Sequence, residues 1–230
     1  MINNYYIRKV LEKEEIQIIQ KLLRIADEKN FWQDGLGSGG GKHSTKKNKE
    51  LSNIEISKEI NNYIMSSLDR DSKFLNFTSA SESSLNIISK TESGDYYNPH
   101  SDNWANGDYS TTIFLSNPED YIGGELSLYF GNDEEKKVKL DAGWAITYQT
   151  GILHRVNKVI SGIRHVSVFW THSKIKDSNI RNINSQLSNL IEILEKNHTP
   201  IHIHDFESCL EDPLFVARNL QNEICRIYSK

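Results

Sequence analysis

Gly94-Asp95-Tyr96-Tyr97-Asn98-Pro99-His100-Ser101-Asp102 is the stretch on which the reading of this chain turns. Residues two apart on a β-strand point to the same face. A strand here therefore sends the His100 imidazole and the Asp102 carboxylate toward one point. Two ligands hold a metal loosely, so the position of a third decides the matter. His154 lies downstream in Gly151-Ile152-Leu153-His154-Arg155-Val156, a short apolar segment opened by a glycine. Two histidines and one carboxylate on one side of a metal suit non-haem Fe(II), leaving the opposite coordination positions open. Further on, Gly162-Ile163-Arg164-His165-Val166-Ser167-Val168-Phe169-Trp170 reads as a β-branched, aromatic strand carrying an arginine. The planar guanidinium fork grips a carboxylate through two parallel hydrogen bonds.

Around these residues the texture is that of many short strands. Ser84–Ser89, Ser110–Ser116, Glu125–Phe130, Lys137–Leu140, Ala145–Thr147, Leu153–Val156 and Arg164–Thr171 are the expected strands. Asn117-Pro118, Gly123-Gly124, Gly131-Asn132-Asp133, Ala142-Gly143 and Ser161-Gly162 supply turns between them. Evenly spaced short strands predict a sandwich or jelly roll whose two sheets enclose a site. Before them, Tyr5 to Val10 reads as a strand. Helical spacing follows from Glu12 to Glu28, through Ile16, Ile19, Leu22, Leu23 and Ala26, and again from Ile54 to Leu68. After the strands, residues 177–196 and Pro213 to Tyr228 return to helical periodicity. The expected organisation is residues 1–176 as one domain, helical up to residue 80 and β from 81. Residues 177–230 form a helical extension packed on it.

With 230 residues, 37% hydrophobic and 25% charged, the chain can bury one substantial core. Its net charge of −4 argues against a nucleic-acid partner, since such proteins carry a basic patch or stripe. Lys42, Lys46, Lys47 and Lys49 form one basic cluster, read first as a solvated loop. Cys209 and Cys225 have no metal-binding or disulfide-framework spacing, so a reducing cytoplasm is the simplest setting. No apolar run suggests a signal peptide or membrane span.

Several other motifs carry less. Leu36-Gly37-Ser38-Gly39-Gly40-Gly41-Lys42-His43 lacks two required positions of a phosphate-binding loop and reads as a flexible loop near the site's mouth. His202, His204 and Asp205 form a rival cluster without a third partner at fixed spacing, favouring an interhelical turn. His43, His172 and His198 are isolated. Strand alternation sends His165 to the face opposite Arg164, making it structural. Tyr97 and Tyr148 are placed to line the pocket, although a tyrosine in a β-core often serves packing. A buried arginine needs an anionic partner. For Arg164 this is either a bound acid or a protein carboxylate such as Glu125.

The ordered set His100-x-Asp102, His154, Arg164 resembles the Fe(II)/2-oxoglutarate dioxygenases of the prolyl-hydroxylase type. The wider chain is similar to one family among them, the bacterial PKHD-type hydroxylases. Trp32-Gln33-Asp34-Gly35, Lys46-Lys47-Asn48-Lys49-Glu50-Leu51 and Ser110-Thr111-Thr112-Ile113-Phe114-Leu115-Ser116 carry the likeness. So do Asp120-Tyr121-Ile122-Gly123-Gly124-Glu125-Leu126, Val138-Lys139-Leu140-Asp141-Ala142-Gly143, Leu153-His154-Arg155-Val156 and Phe169-Trp170-Thr171-His172-Ser173. The resemblance implies a double-stranded β-helix core of jelly-roll, cupin-like form with helices outside it. It implies His100, Asp102 and His154 as iron ligands and Arg164 as the anchor of 2-oxoglutarate. Fe(2+), 2-oxoglutarate and O2 are the implied cofactors, with L-ascorbate a further candidate. The implied reaction hydroxylates an unactivated C–H bond of a prolyl or other amino-acid residue, or of a small metabolite, releasing succinate and CO2. One departure stands out. Where the family has Arg-Tyr, with the tyrosine expected on 2-oxoglutarate, this chain has Lys90-Thr91, leaving Thr91 as the shorter candidate donor. The same residues also fit a cupin-like protein that binds metal and anion without turnover. A small-molecule or peptidyl substrate is expected, with no nucleic acid and no membrane. The outer helices could pack on the core or form a homodimer surface.

Overall fold

The computed structural model describes residues 4–39, 46–131, 134–197 and 206–229. Strand β1 (Tyr5–Lys9) leads into helix α1 (Lys13–Glu28), then β2 (Trp32–Asp34), β3 (Lys46–Lys47) and β4 (Lys49–Leu51). Helices α2 (Ile54–Asp69) and α3 (Ser72–Thr78) follow. Next come β5 (Ala80–Ser83), β6 (Ile87–Glu92), β7 (Tyr96–His100), β8 (Tyr109–Phe114), β9 (Tyr121–Gly123) and β10 (Leu126–Tyr129). The strands end with β11 (Glu135–Val138), β12 (Trp144–Gln149), β13 (Leu153–Val156) and the long β14 (Val159–Ser173). Helices α4 (Ser178–Asn197), α5 (Phe206–Glu211) and α6 (Pro213–Tyr228) close the chain.

Local chemistry sets these boundaries. Glu12 and Glu15 form a reciprocal capping box at the start of α1. The Asn53 side chain caps α2, and that of Asp212 caps α6 with Pro213 in the first turn. The expected helices sit where their apolar spacing placed them. Strands β5 and β9 and helix α5 went unforeseen. Helix α3 and the short strands β2 to β4 were not expected either, and the strand predicted from Ser84 starts only at Ile87.

Two antiparallel sheets face each other as a jelly roll. One runs β1-β12-β8-β14-β6-β4-β2, with β5 and β9 also paired to β14; the other runs β11-β10-β13-β7-β3. Strand parity sorts the large sheet's side chains. Phe114, Ile146, Tyr148 and Val166 turn inward to meet Leu126, Leu128 and Val138 of the small sheet. Their neighbours Ile113, Leu115, Ala145 and Phe169 turn outward and are covered by Ile16, Ile19 and Leu23 of α1 and Ile60 and Ile64 of α2. The large sheet is therefore buried on both faces, which explains why β8 reads as a run of buried residues without polar alternation. Gly162 bends β14 where it passes β9. Its φ is +81°, and a Cβ there would lie 2.1 Å from the Asp120 carbonyl oxygen, so only glycine fits.

Helix α4 packs on α3 and α6, and Arg181 of α4 ties it to Asp108 just before β8. Among the described residues no helix is long and apolar enough to cross a membrane. His43, His198, His202, His204 and Asp205 lie outside the described residues.

A charged cluster fastens α1 to the outer face of the large sheet. Lys90 Nζ lies 2.7 Å from Asp27 and 2.8 Å from Glu92, while His165 faces Asp27 and stacks on Trp32. His165 thus occupies the face away from Arg164. Burial works to raise the Asp27 carboxyl, but hydrogen bonds and charge from His165 and Lys90 outweigh it and bring it from 3.8 to about 2. A carboxyl depressed in the folded state contributes stability above its unfolded pKa and loses that contribution as pH falls through the folded value. Thermal denaturation should show wild-type stability declining as pH falls from about 4 to about 2. Asp27→Asn should flatten that decline; an unchanged slope would contradict the assignment.

Candidate metal centre

His100 and His154 face each other as cross-strand partners on β7 and β13 of the small sheet. Asp102 arrives differently from the sequence expectation. Strand β7 ends at His100, and Asp102 lies in irregular chain before a helical turn at Trp104–Asn106, which the Asn103 side chain caps. Side-chain bonds, and not strand alternation, aim the carboxylate. Its Oδ2 accepts from Ser110 Oγ at 2.7 Å and from Trp170 Nε1 at 3.0 Å. This leaves Oδ1 facing both histidines, 3.8 Å from each Nε2.

The histidines are oriented by the main chain. His100 Nδ1 is 2.8 Å from the Asn98 carbonyl oxygen, and His154 Nδ1 is 2.8 Å from that of Ile152. A carbonyl only accepts, so each Nδ1 carries the proton and each Nε2 offers a lone pair. One ligand atom from each of His100, Asp102 and His154 lies within 4.8 Å of the others. The residues therefore fit a metal ion, with the outer bonds that fix metal ligands already in place. Burial first, then the neighbouring His154, lowers the His100 pKa to about 4. At ordinary pH it is the neutral imidazole that a metal requires. Tyr97 stacks on His100 with ring centroids 3.5 Å apart, and Tyr148 packs edge-on against His154. Burial raises the pKa of both phenols, with the Asp102 charge adding to it, so they stay protonated.

A cavity of about 110 Å³ opens from this trio. Its wall includes Arg164, Val166, Val168 and Trp170, alternate residues of β14 that share one face. Arg164 is 2% exposed, and its guanidinium has no carboxylate partner among the described residues. The protein carboxylate weighed as its alternative, Glu125, instead accepts from the Asn157 amide. Burial lowers the Arg164 pKa, and Tyr121, Tyr148 and Glu125 partly offset this. Thr91, expected to reach a co-substrate, is buried and donates to the Arg164 backbone carbonyl at 3.3 Å. The cavity wall on that strand is formed by Ile87 and Ser89.

The remaining wall is polar. Lys46 and Glu50 form an ion pair of 3.2 Å inside the cavity, with Ser38 and Asn48 beside them. The lysine-rich segment is therefore not simply a solvated loop, because the Lys46 side chain is only 5% exposed. Ser110 and Trp170 were missed as supports of Asp102. Strand parity could have found them, since Ser110 shares a face with Thr112, and Trp170 with Arg164.

Comparison with known proteins follows the same lines. The profile of the 2OG-Fe(II) oxygenase superfamily matches residues 85–172. A PKHD-type hydroxylase of Gloeothece citriformis is 32% identical over 180 residues, covering 76% of this chain and 80% of its own. One from Prochlorococcus marinus is 35% identical over 179 residues, covering 75% and 79%. Among solved structures, a prolyl hydroxylase from Trichoplax adhaerens, in complex with a hypoxia inducible factor oxygen degradation domain peptide fragment, superposes with a TM-score of 0.59. It is 16% identical and covers 74% of this chain and 84% of that one, a likeness of fold.

Removing the bonds that aim Asp102 should loosen the metal without unfolding the chain. Ser110→Ala and Trp170→Phe should each weaken Fe(II) affinity by about tenfold to a hundredfold in an anaerobic metal titration. Wild-type affinity in both variants would show that Asp102 is held by something else.

Proposed function

The chain belongs to the PKHD-type hydroxylase family, and from that membership we propose that His100, Asp102 and His154 hold Fe(II) and that Arg164 anchors 2-oxoglutarate. It is an Fe(II)- and 2-oxoglutarate-dependent dioxygenase of the hydroxylase type. The observation that carries the site assignment is the conjunction, in one cavity, of a three-ligand face and a buried arginine without a carboxylate. When bound, Fe(II), 2-oxoglutarate and O2 supply the oxidising chemistry: the keto acid loses CO2 to become succinate, and a substrate C–H bond becomes C–OH.

The protein's part is geometry and electrostatics. The carbonyls of Asn98 and Ile152 keep both Nδ1 protons in place, so the Nε2 lone pairs stay aimed inward. Ser110 and Trp170 hold one oxygen of Asp102, leaving the other as the single anionic ligand. Two neutral imidazoles and one carboxylate leave a dication with net positive charge, which favours an anionic co-substrate. Arg164 supplies the second positive centre, and the apolar side chains of Leu126, Val156, Val166 and Val168 restrict water around it. Low local dielectric strengthens both attractions.

The polar wall of Ser38, Lys46, Asn48, Glu50 and Ser89 supports a substrate with hydrogen-bonding groups. A prolyl or other amino-acid residue, or a small polar metabolite, meets that description. The net charge of −4 supports a substrate other than nucleic acid. Free Cys209 and Cys225 support a reducing, cytoplasmic setting. L-ascorbate as an accessory reductant and a homodimer through the outer helices complete the proposal. A binding protein without turnover, the other reading of these residues, is not favoured by the family.

Purified protein given Fe(II), 2-oxoglutarate and O2 should release succinate, and His100→Ala should reduce release to background. Arg164→Met should raise the KM for 2-oxoglutarate roughly a hundredfold, since a bidentate charged contact is lost. Equal succinate from wild type and His100→Ala would overturn the site assignment.

A further inference from the structure

The polar wall of the cavity ends in an ion pair that joins the two sheets. Lys46 pairs with Tyr97 on the small sheet and Glu50 with Ser89 on the large one, the chain crossing between them at Asn48. Cross-strand partners share a face, so register turns Lys46 to the side of Tyr97 and Glu50 to that of Ser89 and Val166. All five residues line the cavity. Lys46 Nζ meets Glu50 Oε1 at 3.2 Å and sits 5.3 Å from the centroid of the Tyr97 ring. That ring stacks on His100, so one aromatic layer separates the pair from a metal ligand.

The pair is satisfied on one side only. Ser38 Oγ accepts from Lys46 Nζ at 2.6 Å and donates to Glu50 Oε1. An ammonium has three N–H donors, and Ser38 and Glu50 occupy two of them. Glu50 Oε1 takes both bonds to its carboxylate, while Oε2 has no partner among the described residues. Glu50 is thus held as Asp102 is, with one oxygen bonded by the protein and the other left over. Its side chain is 13% exposed and that of Lys46 5%, so both charges are largely out of water. Such a pair adds little stability, because desolvation offsets the attraction. The spare oxygen does not suit 2-oxoglutarate, since a carboxylate only accepts and repels a second one. It calls for a donor on another molecule, the substrate.

We propose that Lys46 and Glu50 select a free amino acid as substrate, its ammonium on Glu50 Oε2 and its carboxylate at the remaining N–H of Lys46. This rests on the reading of the cavity as a hydroxylase site and narrows its substrate class. One open acceptor beside one open donor matches a zwitterion, whose docking leaves the net charge of the cavity unchanged. Charge-assisted hydrogen bonds are roughly twice as strong as neutral ones, which favours a zwitterion over a peptide amide. A prolyl residue within a chain has neither an N–H nor a free carboxylate to offer. In the family's reaction one atom of O2 enters the amino acid's C–H bond as hydroxyl. The other enters succinate as 2-oxoglutarate loses CO2.

The test gives wild type Fe(II), 2-oxoglutarate and O2 with the common free L-amino acids, and separately with the same set as N-acetyl methylamides. Mass spectrometry reads the gain of one oxygen, and succinate is measured alongside. A free amino acid should gain the oxygen, and no blocked one should. Glu50→Gln should raise the KM for that amino acid about tenfold to a hundredfold, with its calorimetric affinity for 2-oxoglutarate as in wild type. Equal gain in the blocked set, or none in either set while succinate is released, would overturn the inference and leave the dioxygenase reading standing. An unchanged KM in Glu50→Gln, or a matching loss of 2-oxoglutarate affinity, would also overturn it, the latter marking a packing role. The comparison of free with blocked amino acids needs no variant and decides the matter if Glu50→Gln does not fold. No succinate under any condition would remove both the inference and the reading beneath it.

Discussion

A guanidinium buried without a counter-ion is the constraint around which this molecule is arranged. Moving a charge out of water is expensive unless an opposite charge meets it, and among the described residues no carboxylate forms an ion pair with Arg164, the more distant Glu125 offsetting its burial only in part. The cost is tolerated because β14 runs through the middle of the large sheet, flanked by β8 and β6 and fastened to α1 through the Asp27, Lys90 and His165 cluster. The same strand sends Val166, Val168 and Trp170 to the inner face and His165 and Phe169 to the outer one. One strand thus carries the cation, the apolar floor and the indole that aims Asp102.

The two sheets divide the chemistry. The small sheet brings both imidazoles together by direct pairing of β7 with β13. The large sheet contributes Arg164, Tyr148 and the bonds that orient Asp102. Packing of the sheets through Phe114, Leu126, Leu128, Ile146 and Val166 therefore sets the distance between metal face and anion anchor. Close-packed interiors deform little, so that distance is a property of the fold more than of any loop.

Much of this was legible in the sequence because the relevant signals are local or periodic. The helices announced themselves by apolar spacing, and alternation along Arg164–Trp170 correctly separated Arg164 from His165. What escaped notice depends on contacts far apart in the chain. Asp102 is aimed by Ser110 and Trp170, although alternation within a strand had been expected to do it. Lys46 looked like one more solvated lysine, yet pairing of β3 with Tyr96 and Tyr97 carries it into the cavity beside Glu50. The close approach of Tyr121 to Arg164 left no mark in composition or spacing, since it depends on the positive φ and missing side chain of Gly124.

The central claim is that His100, Asp102 and His154 grip one metal while Arg164 holds an acid beside it. Anomalous diffraction from crystals soaked without oxygen in Mn(II) and 2-oxoglutarate tests this most directly. The account predicts one peak bonded to both Nε2 atoms and to Asp102 Oδ1, with the far carboxylate of the acid against Arg164. A metal that leaves out any of the three, or an acid bound away from Arg164, would contradict it.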